Sequence, residues 1–411
     1  MKKLLLSILA FFPIIASAVA LMMMGFGVQT ASAQVKRGTA AKKPATVAKK
    51  PAAKVNNNFA VLEFDEWINH NHPFEDEENI YFLGNGNSPN VLRAVNKQTG
   101  EVKIVVPPKK RARTMICCAG SDGKNVYMRL ENKGIALFNG IDVNTSEIVV
   151  PQSEQYKGFL IYGNRGYNII GSPNGRYIML YGDNPIVYDK EEGRVVRYGS
   201  SGSTFPVLTD DGMVIDYDYK GLFSQVKGNP VLDYTSPKNN VDRKYFDFKG
   251  VDNGANGDVC SIWYDIPDNM VYIAKGEQIL KSPVQPDLDF KEVYCLPGEN
   301  KEFRLVAFNG SRVFAVTDNY QKKFYEWDNK DMTGEPKISQ SIDTGVTFTS
   351  TSGLTRKYVI SDAKRLYYDK AGNLWVQVAD GRFIIYNPDG IKGLTALKGK
   401  YTENKLPKEE D

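Results

Sequence analysis

Between about residue 79 and residue 390, short apolar runs alternate with polar turns, and the alternation recurs along the chain. The turn and the run that follows it are the easiest part to see: EENIYFL, DGKNVYM, NGRYIML, DGMVIDY, DNMVYIA, NGSRVFAV and AGNLWVQV. Short runs rich in Val, Ile, Tyr and Phe, bounded by Gly, Asn and Asp, read as β-strands. The turns centred on Gly123, Gly175, Gly212, Asn269, Gly310 and Gly372 lie 37 to 62 residues apart. An apolar strand precedes the turn, as in RTMICCA, YNIIGS, FPVLT, DVCSIWY, FRLVAF and RLYYD. After it come a further element (NVLRAVNKQTG, PIVYDKEEG, EQILKSPV, RFIIYNPDG) and a last short one (EVKIVVP, EIVVPQ, RVVRYG, PVLDYT, KEVYCLP, PKISQSI, LTALKG). That makes four strands per unit. No long run places apolar residues at helical spacing.

Four antiparallel strands repeated at this interval predict an all-β fold, a β-propeller of seven four-stranded blades. Radial closure removes the open edges that a flat sheet of so many strands would expose. The irregular stretches 58–78 and 342–360 leave six or eight blades as alternatives. The strand AVLEF, within 58–78, is expected to pair with the last blade and close the ring. The organisation read from the sequence is a signal peptide at 1–33, a flexible Ala/Lys/Pro-rich tether at 34–57, the propeller at 58–400 and a polar tail at 401–411.

The leader reading rests on Lys2 and Lys3, the apolar stretch Leu4 to Val28, and the small residues Ala31-Ser32-Ala33 before Gln34. It predicts export to the periplasm, the cell surface or the medium. The stretch is also long enough to serve as an uncleaved anchor. A lipid attached to an N-terminal cysteine is excluded, because the first cysteine is Cys117. The tether, with AKKPA and AKKPAA, has no large apolar residue beyond Val and reads as a solvated spacer. Its lysines offer a possible contact with anionic envelope polymer or lipid headgroups. Charge changes the picture here. Of 52 Lys and Arg, nine fall in residues 1–54, where there is no acid, so 43 bases face all 48 acids in the remainder. The globular part is mildly acidic, and no nucleic-acid partner is expected.

Four cysteines, Cys117, Cys118, Cys260 and Cys295, invite disulfides in an exported protein. The repeat argues against them. Cys260 and Cys295 fall on the first and last strands of one unit, three strand spacings apart, and adjacent Cys117 and Cys118 point to opposite faces. Thiols are expected.

Candidate chemistry is sparse. His70 and His72, the two histidines, could pair with Glu75 or Asp76 around a metal, but Pro73 suggests an exposed loop. DNGANGD at 252–258 resembles a calcium loop, yet Gly254 stands where a ligand is needed and Trp263 where a closing Glu would be. No metal and no cofactor are therefore assigned. Asp210-Asp211 and Asp216/Asp218 are paired carboxylates, read as turn residues and as the polar face of a half-exposed strand. Phosphate-loop, CxxC, HExxH and G-x-S-x-G patterns are absent, and no catalytic residue is assigned.

Binding candidates come from the connections. PPKKRAR places Lys109, Lys110, Arg111 and Arg113 between the first two blades, and 235–257 carries Arg243, Tyr245, Phe246 and Phe248. Aromatics beside an arginine suit protein interfaces and sugar sites. The functional expectation is a non-catalytic, exported propeller that binds a protein or glycan partner through its inter-blade loops. The alternatives are a polysaccharide lyase or glycosidase using carboxylates and tyrosines in the central funnel, and a structural component of a cell-envelope assembly.

Residues 368–390, YDKAGNLWVQVADGRFIIYNPDG, resemble the propeller repeat of bacterial two-component-regulator sensor ectodomains, through Asp369, Gly372, Asn373, Leu374, Trp375, Gly381 and Tyr386. RAVNKQTGEV at 93–102 is similar to the strand hairpin of quinoprotein-like propellers, and VYDKEEGRVV at 187–196 is a weaker copy. Each match covers one blade, so the resemblance implies the fold and selects no family. Sensor proteins would be expected to add a membrane span and signalling region after the propeller, and quinone-binding members would need cofactor residues not identified here. The tryptophan–aspartate type is disfavoured, since Trp327-Asp328 occurs once and two histidines cannot serve every blade.

Overall fold

In the computed structural model, the described residues are 58–64, 73–84, 91–106, 116–130, 133–140, 146–152, 168–181, 186–198, 206–218, 221–225, 244–246, 259–297, 302–317, 323–339, 343–349, 353–398 and 401–404. The stretches read as leader and tether, His70 and His72, and the segments PPKKRAR and 252–258 lie outside them.

Among the described residues the strands form four-stranded antiparallel units, two of them joined in one eight-stranded sheet and the last carrying a fifth strand, with a separate two-stranded hairpin. The first contains β2 (Phe74–Glu75), β3 (Asn79–Leu83), β4 (Leu92–Asn96) and β5 (Val102–Val106). The second is β6 (Ile116–Ser121), β7 (Val126–Leu130), β8 (Gly134–Leu137) and β9 (Glu147–Pro151), and the third β10 (Asn168–Gly171), β11 (Tyr177–Tyr181), β12 (Ile186–Asp189) and β13 (Arg194–Tyr198). Next come β14 (Val207–Leu208), β15 (Val214–Asp218), β16 (Gly221–Gln225) and β17 (Lys244–Tyr245). The fifth and sixth units are β18 (Val259–Asp265) to β21 (Lys291–Cys295) through β19 (Met270–Lys275) and β20 (Gln278–Pro283), and β22 (Phe303–Phe308), β23 (Val313–Thr317), β24 (Phe324–Trp327) and β25 (Lys337–Ser339). A separate hairpin, β26 (Asp343–Thr349) and β27 (Thr355–Val359), precedes the last unit, β28 (Arg365–Tyr368), β29 (Leu374–Ala379) and β30 (Arg382–Tyr386). Its fourth strand is β1 (Phe59–Phe64), antiparallel to β30, with Phe59 opposite Tyr386 and Glu63 opposite Arg382.

The first strands of successive units adjoin one another until they return to the start. β6 and β10 pair in parallel, with Ile169 opposite Gly120. Ser121 Oγ donates to the Glu75 carbonyl (2.7 Å), and Ser261 Oγ to that of Val306 (2.9 Å). The last first-strand, β28, meets β2 where Tyr367 Oη donates to Glu75 (2.9 Å). Seven apolar clusters fill the spaces between the sheets, each shared by two neighbouring units. Phe82 of the first unit, for example, packs on Trp375 and Phe383 of the last (5.4 and 4.9 Å between ring centres). This closed succession is a β-propeller. Burial on both faces explains why strands such as YIMLY read as unbroken apolar runs.

Several details differ from the sequence reading. Buried Phe74 and Glu75 in 58–78 form the first strand of the first unit, and 342–360 carries a hairpin. LTALKG is a turn, not a strand: β1 holds the outer position, and Leu394 and Leu397 are buried against the first unit, with the Leu394 N–H on the Lys97 carbonyl (2.8 Å). Tyr401–Asn404 form a further strand, β31, parallel to β1, so the sheet continues past residue 400 into the stretch read as a polar tail.

Candidate functional site

The turn between the first and second strands of a unit is held by one side chain that answers the loop's N–H groups. Asp122 Oδ1 accepts from the Lys124 and Asn125 N–H groups (2.9 and 2.7 Å), while Oδ2 accepts from Asn125 Nδ2 (3.0 Å) and Tyr127 Oη (2.7 Å). Asp76 repeats the arrangement with Glu78, Asn79 and Tyr81. One residue longer, Asp369 takes Asn373 and the indole N–H of Trp375 (2.9 Å). In these three units the turn-plus-strand piece is a carboxylate clasped by an aromatic donor of the next strand, whereas Ser172, Thr209 and Asn309 answer the loop N–H groups in others. Burial works to raise the Asp122 carboxyl, but the hydrogen bonds from Asn125, Tyr127 and Lys124 outweigh it and hold it below the usual carboxylate range.

The Asp122 turn borders a cavity of about 340 Å³ formed between the first strands of the first five units. Its walls are Phe74, Ile169, Ile170, Val207, Ile262, Trp263 and Tyr264, with Ile266 at the rim, 51% exposed. Two glycines let the strands close around it. A Cβ on Gly120 would sit 1.7 Å from the Ile169 carbonyl oxygen, and one on Gly171 2.4 Å from Asp122 Cβ. Trp263 is stacked flat on Phe308 (5.2 Å, 3°). The hydroxyls on the wall have partners: Ser121 Oγ donates to the Glu75 carbonyl, and Tyr264 Oη makes an exposed hydrogen bond to Asn269 Oδ1 (3.1 Å). Asp122, fully engaged by its clasp, is the one carboxylate among the described lining residues.

A glycosidase needs two carboxylates facing across a pocket, and the described cavity wall does not present them. Asp210 and Asp211 are exposed turn residues, as the sequence suggests. Asp216 departs from expectation: it is buried, not on a half-exposed face, and caps the Tyr217 N–H (2.8 Å). No group of three or more His, Cys, Asp or Glu among the described residues is placed to hold a metal ion.

Of the expected binding residues, the described ones, Tyr245 and Phe246, do not line this cavity. Lys109, Lys110, Arg111, Arg113, Arg243 and Phe248 fall outside the described residues. Tyr245 and Phe246 correct the reading of 235–257 as one loop. Tyr245 lies on β17, the outer edge strand of its unit, 5.8 Å from the Phe223 ring, and Phe246 packs against Phe290 (5.1 Å). The cavity residues themselves were missed. Their one sequence signal is the apolar, aromatic run SIWYDI, which reads as an ordinary core strand.

Where the first and last units meet, Glu75 is buried and takes Lys97 as its ion partner, Tyr367 Oη, and the Lys370 N–H (3.0 Å). Burial raises its carboxyl above the usual range, although Lys97 and Tyr367 pull the other way. A second cavity of about 360 Å³ opens beside it, lined by Glu77, Lys97, Gln98, Lys370 and Lys392. Cys118 is buried, and Cys260 and Cys295 are partly so; all three are free thiols.

No family model matches the chain, and no curated protein matches it by sequence. Among solved structures it is similar to the extracellular domain of a hybrid two-component system from B. thetaiotaomicron, at 16% identity and a TM-score of 0.46, over 79% of this chain and 40% of that one. It is also similar to the C-terminal WD40 domain of Sif2 (12%, TM-score 0.46, 80% and 97% covered) and to YCF48 bound to D1 peptide (9%, TM-score 0.49, 81% and 96%). In each case the likeness is one of fold.

Proposed function

We propose that this propeller is an exported, non-catalytic binding module whose partner docks at the mouth of the central cavity. One observation carries the reading: the cavity offers apolar and aromatic surface, while its hydroxyls and its carboxylate already serve the fold. Concave, largely apolar sites on a rigid scaffold are where partners bind. Export follows from the leader reading of residues 1–33, and the basic tether at 34–57 supplies reach or envelope contact. The basic connection Lys109, Lys110, Arg111 and Arg113 remains a candidate second dock.

The test is capture from a native envelope extract on immobilised residues 34–411, beside Ile266→Ser and a variant with Lys109, Lys110, Arg111 and Arg113 changed to alanine. A partner lost with Ile266→Ser supports docking at the cavity mouth. Loss with the alanine variant alone moves the dock to that connection. If nothing is retained by any bait, the binding reading is refuted.

A further inference from the structure

Carboxylates outnumber bases on the inner turns beside the cavity, although Lys370 of the last unit reaches among them, its Nζ donating to the Gly123 carbonyl (2.7 Å). The five inner turns beside the lining strands carry seven carboxylates, Asp76, Glu77, Glu78, Asp122, Asp210, Asp211 and Asp268, against two bases, Lys124 and Arg176. Arg176 is already spent on Asp189 and Glu191 (2.7 and 2.6 Å), and Asp268 is tied to Lys330. Glu77, Glu78, Asp210 and Asp211 are exposed. Their field reaches the wall: Tyr264 is raised above its ordinary range, by burial first and then by Asp210 and Asp211. Inside this ring the surface is largely apolar, with Asn168 the one wall residue whose buried side-chain oxygen is left unpartnered among the described residues. A sugar would need several hydrogen-bonding side chains beside a free aromatic face. The wall hydroxyls and Asp122 are committed, and one face of Trp263 is covered by Phe308.

Taking the cavity mouth as the docking place, as proposed above, we infer that its occupant is a lysine- or arginine-bearing segment of a partner protein that inserts one apolar side chain into the cavity. The side chain removes Ile266, Ile170 and Trp263 surface from water, while the flanking cations sit over Asp210 and Asp211. Complementary charge then sets partner choice and on-rate more than total affinity.

The probe is a fluorescein-labelled peptide with one leucine between two pairs of lysines, titrated against residues 34–411 by anisotropy. Comparison peptides replace leucine with serine, or the lysines with glutamates. The leucine–lysine peptide is expected to bind best, and at least about fivefold more weakly when salt rises from about 0.05 M to about 0.5 M. Ile266→Ser is expected to weaken it about tenfold, and Asp210→Asn with Asp211→Asn about fivefold. Both changes are at exposed positions, and an unchanged urea midpoint confirms that each variant is folded. Equal binding of the glutamate peptide, no salt effect, or no loss with Ile266→Ser would overturn the inference. So would failure of every peptide. If cello-, chito- or xylo-oligosaccharides bind instead and Ile266→Ser abolishes that binding, the partner class falls while the docking place stands. If the partner captured from extract is retained equally by Ile266→Ser, the docking place falls as well.

Discussion

Gly120→Ala isolates the contact that lets two units share one eight-stranded sheet. Gly120 has ordinary extended backbone, so alanine brings no torsional penalty, and the whole effect is steric. The new methyl would lie 1.7 Å from the Ile169 carbonyl oxygen and 2.6 Å from its carbon. Carbon and oxygen need roughly 3.2 Å, close to the shortest separations seen in weak C–H···O contacts, so β10 must retreat by more than an ångström. That retreat breaks the parallel pairing of Ile169 with Gly120 and Ile170 with Ser121. Overpacking contributes about 1–3 kcal/mol, and two lost backbone hydrogen bonds add about 1 kcal/mol each. The expected destabilisation is therefore about 3–5 kcal/mol by urea unfolding followed with near-ultraviolet circular dichroism. Gly310→Ala is the control: a Cβ there meets nothing within 4 Å, and its backbone is not left-handed. A Gly120→Ala change below about 1 kcal/mol, the size of a single hydrogen bond, would refute the claim that the inner strands touch through that glycine.

Tyr127→Phe removes a charge-assisted hydrogen bond to Asp122 and is expected to destabilise by about 1.5–3 kcal/mol; loss from an Asp122→Ala background should be much smaller, and a double-mutant cycle in urea checks the coupling. Glu75 titrates above its unfolded value, so the folded state holds the proton more tightly and wild-type stability from this group falls as pH rises through the folded pKa. Glu75→Gln should flatten the decline in melting temperature from the unfolded pKa upward, and an unchanged profile would count against the burial argument. Cys260 has its thiol pushed up to about 12 by burial, so native-state alkylation at pH 8 should leave it unlabelled long after urea-unfolded protein has reacted.

How much was legible follows from which physical signal each part leaves. The seven turn-plus-strand pieces were plain because second strands are buried on both faces and their turns need Gly, Asn or Asp. β1 was readable as the closing strand from AVLEF, an apolar run with no partner of its own. Outer strands were harder, since one side faces water and the apolar pattern thins. PVLDYT reads as the outer strand of the fourth unit but lies outside the described residues, among which Lys244–Tyr245 pairs at that position. Leu394 and Leu397 mimicked a strand because turn residues buried against a neighbour leave the same apolar mark. The cavity was not legible. Trp263 and Ile266 sit in a run indistinguishable from core, and only the ring's closure reveals that one edge of that strand looks into open space.

The strand that completes the ring is also the one next to the stretch at 34–57 read from the sequence as a tether. β1 is gripped on both sides, antiparallel to β30 and parallel to β31, and Asn58 is fastened at its start through Asn387 N–H (2.8 Å). The Asn387 side chain in turn reaches the Gly372 carbonyl (3.0 Å), so the chain joins the propeller on the face that carries the inner turns and the cavity mouth. Tension applied upstream of residue 58 runs along the β1 axis. Every rung to both neighbours then carries load at once, in shear, rather than yielding one after another as an unzipping hairpin would. A propeller hung by that strand can be pulled against a docked partner without its ring being the first thing to open.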